Sequence, residues 1–120
     1  MGAAQISANQ AQRKWMGYED PNIFHLPFPY PWDKEGNPTD EDGNTRFVKD
    51  IETLRSQGID LKDDIGGIIF ESYIGWAAAF FPKKYVQAWA ACAEENDFLN
   101  SFDEIQSGFA RTGPLFAYQH

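Results

Sequence analysis

Apolar residues recur every three or four positions in two segments of the chain, and this spacing predicts two amphipathic helices. In the first segment they are Phe47, Val48, Ile51 and Leu54. Asn44 or Thr45 is suited to cap the start of this helix, and Gly58 to end it. In the second segment they are Tyr85, Val86, Trp89, Ala90 and Ala93. Pro82 should open that second helix, because its fixed φ suits a first helical turn, and residues 94–96 should end it.

Two short apolar runs flank the second helix and predict β-strands. Residues 65–70 are apolar without alternation, which is typical of a strand covered on both faces by helices, and residues 98–102 form the second strand. A strand, a helix and a strand in this order make a βαβ unit with parallel strands and a right-handed crossover. Glu71 and Asp103 follow the carboxyl ends of these strands, where ligands collect in open parallel sheets. We therefore expect an α/β fold with a candidate site at that edge.

The first third of the chain has weaker patterns. Residues 1–20 predict a loop or a frayed helix, and residues 22–24 a short strand. Aromatic residues then alternate with prolines as far as Trp32, which predicts an extended path outside any sheet, because proline lacks an N–H donor.

Residues 33–44 are acidic and rich in turn residues, so they predict an exposed loop. Their clustered oxygens suggest a calcium loop, but the spacing does not fit one. Pro38 stands where the sharp turn needs glycine, and Asn44 stands where the twelfth position needs glutamate. A solvated acidic loop is the better interpretation.

Size and charge narrow the classes of protein to consider. A chain of 120 residues, 42% of them hydrophobic, is expected to form a single domain, 1–120. The formal net charge of −8 argues against a nucleic-acid partner, which needs clustered positive charge. The longest apolar stretch, 74–81, is too short to span a bilayer, and the N-terminus has no signal-peptide pattern. We expect a cytoplasmic location, with the single Cys92 as a small buried core residue.

Two other kinds of site have little support. His25 and His120 are the only histidines and are separated by almost the whole chain, so no metal site is expected. Counting residues leaves a Ser–His–Asp triad open, but the chain has no GxSxG nucleophile motif.

The most informative segment is 102–113, FDEIQSGFARTG. Asp103 ends the predicted strand, and a loop punctuated by glycines follows it. A strand-end aspartate taken alone is most often a helix or turn cap. Ile105 and Gln106 place an apolar side chain and a neutral hydrogen-bonding group beside the carboxylate, and this combination favours a cofactor site.

This segment resembles the FDEIQxGxxRTG motif of the class III aminotransferases, which are pyridoxal-phosphate enzymes. Residues 67–73, GIIFESY, are similar to the family's GxIxEPxQ strand and loop, and residues 81–85 to its P-x-x-Y helix start. Residues 20–30 are similar to the segment that precedes the family's mid-domain helix. The resemblance implies part of a fold-type I large domain, with a parallel βαβ unit and flanking helices and loops.

The resemblance also implies roles for individual residues. Asp103 would pair with the protonated pyridine nitrogen of the cofactor, because a nearby anion favours the charged ring. Ile105 would pack on one face of the ring, although ordinary core is its alternative role, and Gln106 would hydrogen-bond the phenolic oxygen. Glu71 would lie on the substrate side, although a structural role is equally plausible, and Arg111 would brace the loop.

The chain departs from the family pattern at two places. Trp76 aligns with the second glutamate of the family's EPxQGEGG motif. This chain therefore lacks that glutamate, and nothing about the substrate can be inferred from it. Asn100 stands in a strand position that is usually aliphatic or small, and burying it without a partner would cost about 1–3 kcal/mol.

In the family the Schiff-base lysine lies downstream of the motif and the phosphate-binding loop lies upstream of the matched region. The lysines of this chain all precede the motif and are Lys14, Lys34, Lys49, Lys62, Lys83 and Lys84. We therefore expect no catalytic residue here, and a fragment that is inactive alone. Its parent would be a homodimer that moves an amino group from an amine or ω-amino acid to a 2-oxo acid. The alternative is a non-catalytic remnant that serves as an oligomerising or scaffold chain.

Overall fold

The N-terminal part of the chain contains short helices. The computed structural model describes residues 2–7, 10–33, 35 and 42–120. Helices α1 (Gly2–Ile6) and α2 (Gln10–Arg13) are followed by a 3₁₀ turn, Lys14–Met16. These short helices agree with the frayed helix predicted for residues 1–20. The acidic segment that prompted the calcium-loop comparison lies largely outside the described residues.

The short strand predicted at residues 22–24 is wrong. The Asp20 carboxylate accepts hydrogen bonds from the backbone N–H and the side-chain amide of Asn22, at 2.9 and 3.1 Å. The backbone N–H of Ile23 donates to the Asp20 carbonyl at 3.2 Å. These local bonds form a turn, and a turn competes with strand pairing. Residues 23–30 beyond it belong to no helix or strand, as the prolines predict.

Both predicted helices are present. They are α3 (Gly43–Ser56) and α4 (Lys83–Asn96), and Pro82 caps the start of α4. They approach closely at their first turns, where a Cβ atom on Gly43 would lie 2.6 Å from the backbone nitrogen of Tyr85. Only glycine permits this approach, so Gly43 sets the spacing between the helices.

The predicted βαβ unit is also present. The chain forms β1 (Gly67–Glu71), a small antiparallel hairpin of β2 (Tyr73–Ile74) and β3 (Ala79–Phe80), and β4 (Leu99–Asp103). Strands β1 and β4 pair in parallel, with Gly67 opposite Leu99 and Glu71 opposite Asp103. This pairing places the carboxyl ends of both strands at one edge, as the order of elements predicts.

The core lies between α3, α4 and one face of this sheet. Its buried residues are Ile51, Leu54, Ile59, Leu61, Phe70, Tyr85, Trp89, Cys92, Ala93 and Phe98. Cys92 is among them, which confirms its predicted core position. The buried oxygen of the Asn100 side chain has no hydrogen-bond partner in the described part of the chain, which is the case for which the sequence analysis gives a cost.

The opposite face of the β1–β4 sheet is open in the described residues, which corrects the prediction of cover on both faces. Ile69 is 51% exposed and Leu99 is 74% exposed. The reason is that the described helices pack on one side only.

Among the described residues, no helix has the length and apolar character needed to cross a bilayer.

Candidate functional site

The carboxyl ends of β1 and β4 bring two acidic side chains together. Glu71 and Asp103 are register partners at the last position of the paired strands. The pKa of Glu71 is raised, first by partial burial of its carboxyl group and second by the negative charge of Asp103. The sequence analysis predicts both residues at this edge, and the raised pKa of Glu71 reflects its partial burial and then the proximity of Asp103.

Asp103 both caps a turn and keeps an open oxygen. Its Oδ1 accepts a hydrogen bond from the backbone N–H of Ile105 at 2.9 Å. In the described residues no donor reaches its second oxygen. The capping role and the cofactor role are therefore compatible, because one oxygen fixes the side chain while the other has no donor among the described residues.

Ile105 and Gln106 follow Asp103 on the surface. Ile105 is 92% exposed, so it packs in no core among the described residues. The Gln106 carboxamide lies against Gly75, where a Cβ atom would overlap it. Gly75 opens the 3₁₀ turn Gly75–Ala77 after β2, so Gln106 contacts the connection between β2 and β3.

Glu104 is the residue of this site that the sequence analysis missed. Its Oε1 accepts hydrogen bonds from the Ser72 hydroxyl at 2.5 Å and the Tyr118 N–H at 2.9 Å. Its Oε2 accepts from the Ser107 hydroxyl at 2.6 Å and the Ala117 N–H at 3.0 Å. Burial acts to raise the pKa of Glu104, but the four hydrogen bonds outweigh it and lower the pKa to about 2. Of its four partners, only Ser107 lies close to Glu104 in the sequence, three residues after it.

The loop after Gln106 has an unusual backbone. Phe109 and Ala110 have φ values of 57° and 61°, a left-handed conformation that costs non-glycine residues free energy. Phe109 is nonetheless 85% exposed. The N–H of Ala110 donates to the Leu115 carbonyl at 3.0 Å and closes the loop. The exposed Arg111 makes no hydrogen bond or ion pair within the described residues, so its predicted role in bracing the loop stays a prediction.

A separate cleft of about 450 Å³ lies between residues 23–27 and α3. Arg46, which lines this cleft from α3, donates to the Asp50 carboxylate at 3.1 Å and to the Pro27 carbonyl at 3.3 Å. These bonds tie the extended segment to α3. The cleft is lined by other residues than Glu71, Asp103 and Gln106, so it is not the predicted site.

The residues at the strand ends fit pyridoxal phosphate. A pyridinium N–H needs an anionic acceptor, and the second Asp103 oxygen is open. A flat ring needs an apolar surface, and Ile105 is exposed beside that carboxylate. A phenolic oxygen needs a donor, which the Gln106 amide can supply. The chemistry of these groups therefore matches the cofactor that the resemblance implies.

Comparisons with known proteins identify the same family as the sequence motif does. The family model described as "Aminotransferase class-III" matches residues 1–120. A Bacillus subtilis (strain 168) protein named "Probable 4-aminobutyrate aminotransferase" is 29% identical over 101 residues, which are 83% of this chain and 23% of that protein. An "Alanine/serine racemase" of Pyrococcus horikoshii is 27% identical over 124 residues, covering 98% of this chain and 26% of that protein.

One solved structure has the same fold. It is a taurine:2-oxoglutarate aminotransferase from Bifidobacterium kashiwanohense, in complex with PLP and glutamate, with a TM-score of 0.78 and 26% sequence identity. The match covers 98% of this chain and 27% of that chain. The chain thus spans about a quarter of the length of these relatives, and its α/β fold is part of theirs. Because the family model matches the whole chain, the chain belongs to the class III aminotransferase family.

Proposed function

We propose that the protein carrying this chain is a pyridoxal-phosphate-dependent aminotransferase, which moves an amino group from an amine or ω-amino acid to a 2-oxo acid. The observation that carries the proposal is the open Asp103 carboxylate oxygen at the carboxyl end of a parallel strand pair, beside the exposed Ile105. Family membership supports the reaction class. The names of two relatives, an aminotransferase for 4-aminobutyrate and one for taurine, support amines and ω-amino acids as donors.

Each residue of the site has one task in this proposal. Asp103 holds the proton on the pyridine nitrogen, because an anion at hydrogen-bond distance favours the cationic ring. Ile105 supports one face of the ring, and Gln106 hydrogen-bonds its phenolic oxygen. Glu71 lies on the substrate side of Asp103. The cofactor supplies an electron sink for the carbon that carries the amino group.

The assembly and location of the protein are part of the same proposal. The sheet described here has an open face, and residues for the phosphate and the Schiff-base linkage are expected from other parts of the enzyme. The 120-residue chain alone is therefore proposed to be inactive, and the parent to be a homodimer. A single buried cysteine is compatible with the cytoplasm.

Amino-acid racemisation is a second candidate, favoured by the relative from Pyrococcus horikoshii, which covers almost the whole chain. The two reactions differ in one requirement. Amino transfer consumes a 2-oxo acid, whereas racemisation interconverts two enantiomers without an acceptor. The other alternative, a non-catalytic scaffold chain, carries out neither of these reactions.

The test is an assay of the purified full-length protein with pyridoxal phosphate. Amino donors, including 4-aminobutyrate and taurine, are offered with and without a 2-oxo acid, and the products are resolved by chiral chromatography. Product formation that depends on the 2-oxo acid, with turnover reduced by orders of magnitude in Asp103→Ala, supports the proposal. Enantiomer exchange without an acceptor supports the racemase, and absence of both reactions supports the scaffold.

A further inference from the structure

Glu104 connects its own loop to two parts of the chain that are distant from it in sequence. Ser72 follows β1, Ser107 belongs to the loop after β4, and residues 117–118 begin the 3₁₀ turn Ala117–Gln119. All three donate hydrogen bonds to the one carboxylate, two to each oxygen. Hydrogen bonds to an ionised acceptor are shorter and stronger than neutral ones, so these bonds form one connected clamp.

The clamp adjoins the candidate cofactor contacts in the sequence. Glu104 lies between Asp103, whose second oxygen has no donor among the described residues, and Gln106, whose carboxamide lies against Gly75. Holding the Glu104 side chain limits the motion of the backbone that joins these two residues. The low pKa of Glu104 keeps it ionised, and able to accept all four bonds, across the neutral range.

Ser72 ties the end of β1 to the same clamp. Besides its hydroxyl bond to Glu104, its backbone N–H donates to the Asp103 carbonyl at 3.4 Å. Ser72 stands where the family motif has proline, which offers neither an N–H nor a hydroxyl. A proline at position 72 would therefore make neither bond, and the hydroxyl bond in particular depends on the serine of this chain.

We propose that Glu104 is a positioning residue, which holds Asp103 and Gln106 in place for the cofactor through its bonds to Ser72, Ser107 and residues 117–118. This inference rests on the proposed function, because it concerns the same cofactor. Glu104 does not touch the ring itself. Its effect on the cofactor passes through the backbone on either side of it.

Two substitutions in the full-length protein test the clamp. Glu104→Gln replaces one acceptor oxygen with an NH2 group, which cannot accept from the N–H of Ala117 or Tyr118 that it faces, and Ser72→Ala removes one hydroxyl donor. Glu94→Gln on α4 is the matched control, because it removes the same charge from an exposed side chain. The measurements are the dissociation constant for pyridoxal phosphate, circular dichroism, and hydrogen–deuterium exchange at residues 117–118.

The clamp predicts a graded loss of cofactor affinity in a folded protein. Glu104→Gln should weaken binding by about tenfold, the size of effect that outer hydrogen-bonding partners have at metal sites. Ser72→Ala should weaken it less, and Ser72→Thr, which keeps the hydroxyl, should bind as the wild type does. Exchange at residues 117–118 should rise in Glu104→Gln, while Glu94→Gln should match the wild type throughout.

A different pattern overturns the inference and leaves the proposed function standing. That pattern is faster exchange at residues 117–118 in Glu104→Gln with an unchanged dissociation constant, since the clamp would then be purely structural. If Glu104→Gln does not fold, an unchanged dissociation constant in Ser72→Ala overturns the inference instead. Absence of pyridoxal-phosphate binding by the wild type contradicts the proposed function itself, and the inference with it.

Discussion

Glu71 and Asp103 lie opposite each other at the carboxyl ends of β1 and β4, so two carboxyl groups share the edge of one parallel strand pair. Like charges at opposite positions of a sheet repel each other. The arrangement therefore costs stability at neutral pH. A binding site for a cationic ring offers a reason to retain it, because the cation would offset this repulsion.

The repulsion makes the stability of the protein pH-dependent. The pKa of Glu71 is above its ordinary value of 4.5 in the folded state, so the folded state binds more protons and loses relative stability as pH rises through this range. Glu71→Gln should raise the free energy of unfolding at pH 7 by less than about 1 kcal/mol, because the side chain is exposed.

The gain in unfolding free energy from Glu71→Gln should shrink as the pH falls below 4.5, because Glu71 of the wild type then becomes protonated in both the folded and the unfolded state. Urea unfolding at pH 7 and pH 4 measures this, with the exposed Glu52→Gln as control. In an NMR titration, Asp103→Asn should lower the pKa of Glu71 but leave it above 4.5, because burial is the larger cause. A Glu71 pKa that Asp103→Asn does not change would contradict the pairing.

Gly75 is expected to determine where Gln106 lies. Gly75→Ala places a methyl group on the Gln106 carboxamide and should displace that side chain. The control is Gly66→Ala, because no atom lies within 4 Å of a Cβ atom built there. Side-chain amide chemical shifts in the two variants measure the displacement. Unchanged Gln106 amide chemical shifts in Gly75→Ala would show that the contact with Gly75 does not determine where the Gln106 side chain lies.

The hydrogen bond between Tyr85 and Asp50 is expected to stabilise the helix pair. Tyr85 is 1% exposed, and its hydroxyl donates to Asp50 at 2.7 Å. Burial, and then the bond to Asp50, hold the pKa of Tyr85 well above its ordinary value of 10.0. Tyr85→Phe leaves a buried carboxylate oxygen without this donor and should cost about 1–3 kcal/mol of unfolding free energy.

Urea denaturation measures that cost, with Tyr18→Phe as the control, because Tyr18 is 61% exposed. A loss in Tyr85→Phe no greater than that in Tyr18→Phe would mean that the buried bond contributes nothing.

Local sequence patterns predict the elements that depend on local interactions. The spacing of apolar residues is enough to find α3 and α4, and the order of strand and helix is enough to pair β1 with β4. The edge position of Asp103 follows from the same topology. These predictions succeed because periodicity and chain order are properties of the sequence itself.

The rest depends on contacts between distant residues. Ser72 is 32 positions from Glu104, and Tyr118 is 14 positions from it, so no local pattern reveals the clamp. The failed strand at 22–24 has a local cause, the Asp20 side chain, which takes the backbone into a turn. The open face of the sheet is likewise a property of packing, which the apolar run at 65–70 could not specify.

The open sheet face should make the isolated 120-residue chain self-associate. Ile69 and Leu99 are exposed on that face, and both strands have unpaired edges within the described residues. Leu99→Thr should reduce association, whereas Val48→Thr, at a 50% exposed position of α3, should not. Sedimentation velocity measures the change. A wild-type chain that stays monomeric at high concentration would contradict this expectation.

The most direct test of the central claim, that Asp103 holds a pyridoxal-phosphate ring, is a titration of the full-length protein with that cofactor. Asp103→Asn is the suitable variant, because it keeps an oxygen for the Ile105 N–H and replaces the other, charged oxygen with an uncharged NH2 group that cannot accept from the ring. The account predicts that the wild type binds pyridoxal phosphate and that Asp103→Asn binds it at least about tenfold more weakly, as expected for loss of a charge-assisted hydrogen bond. Equal dissociation constants for the two proteins would contradict it.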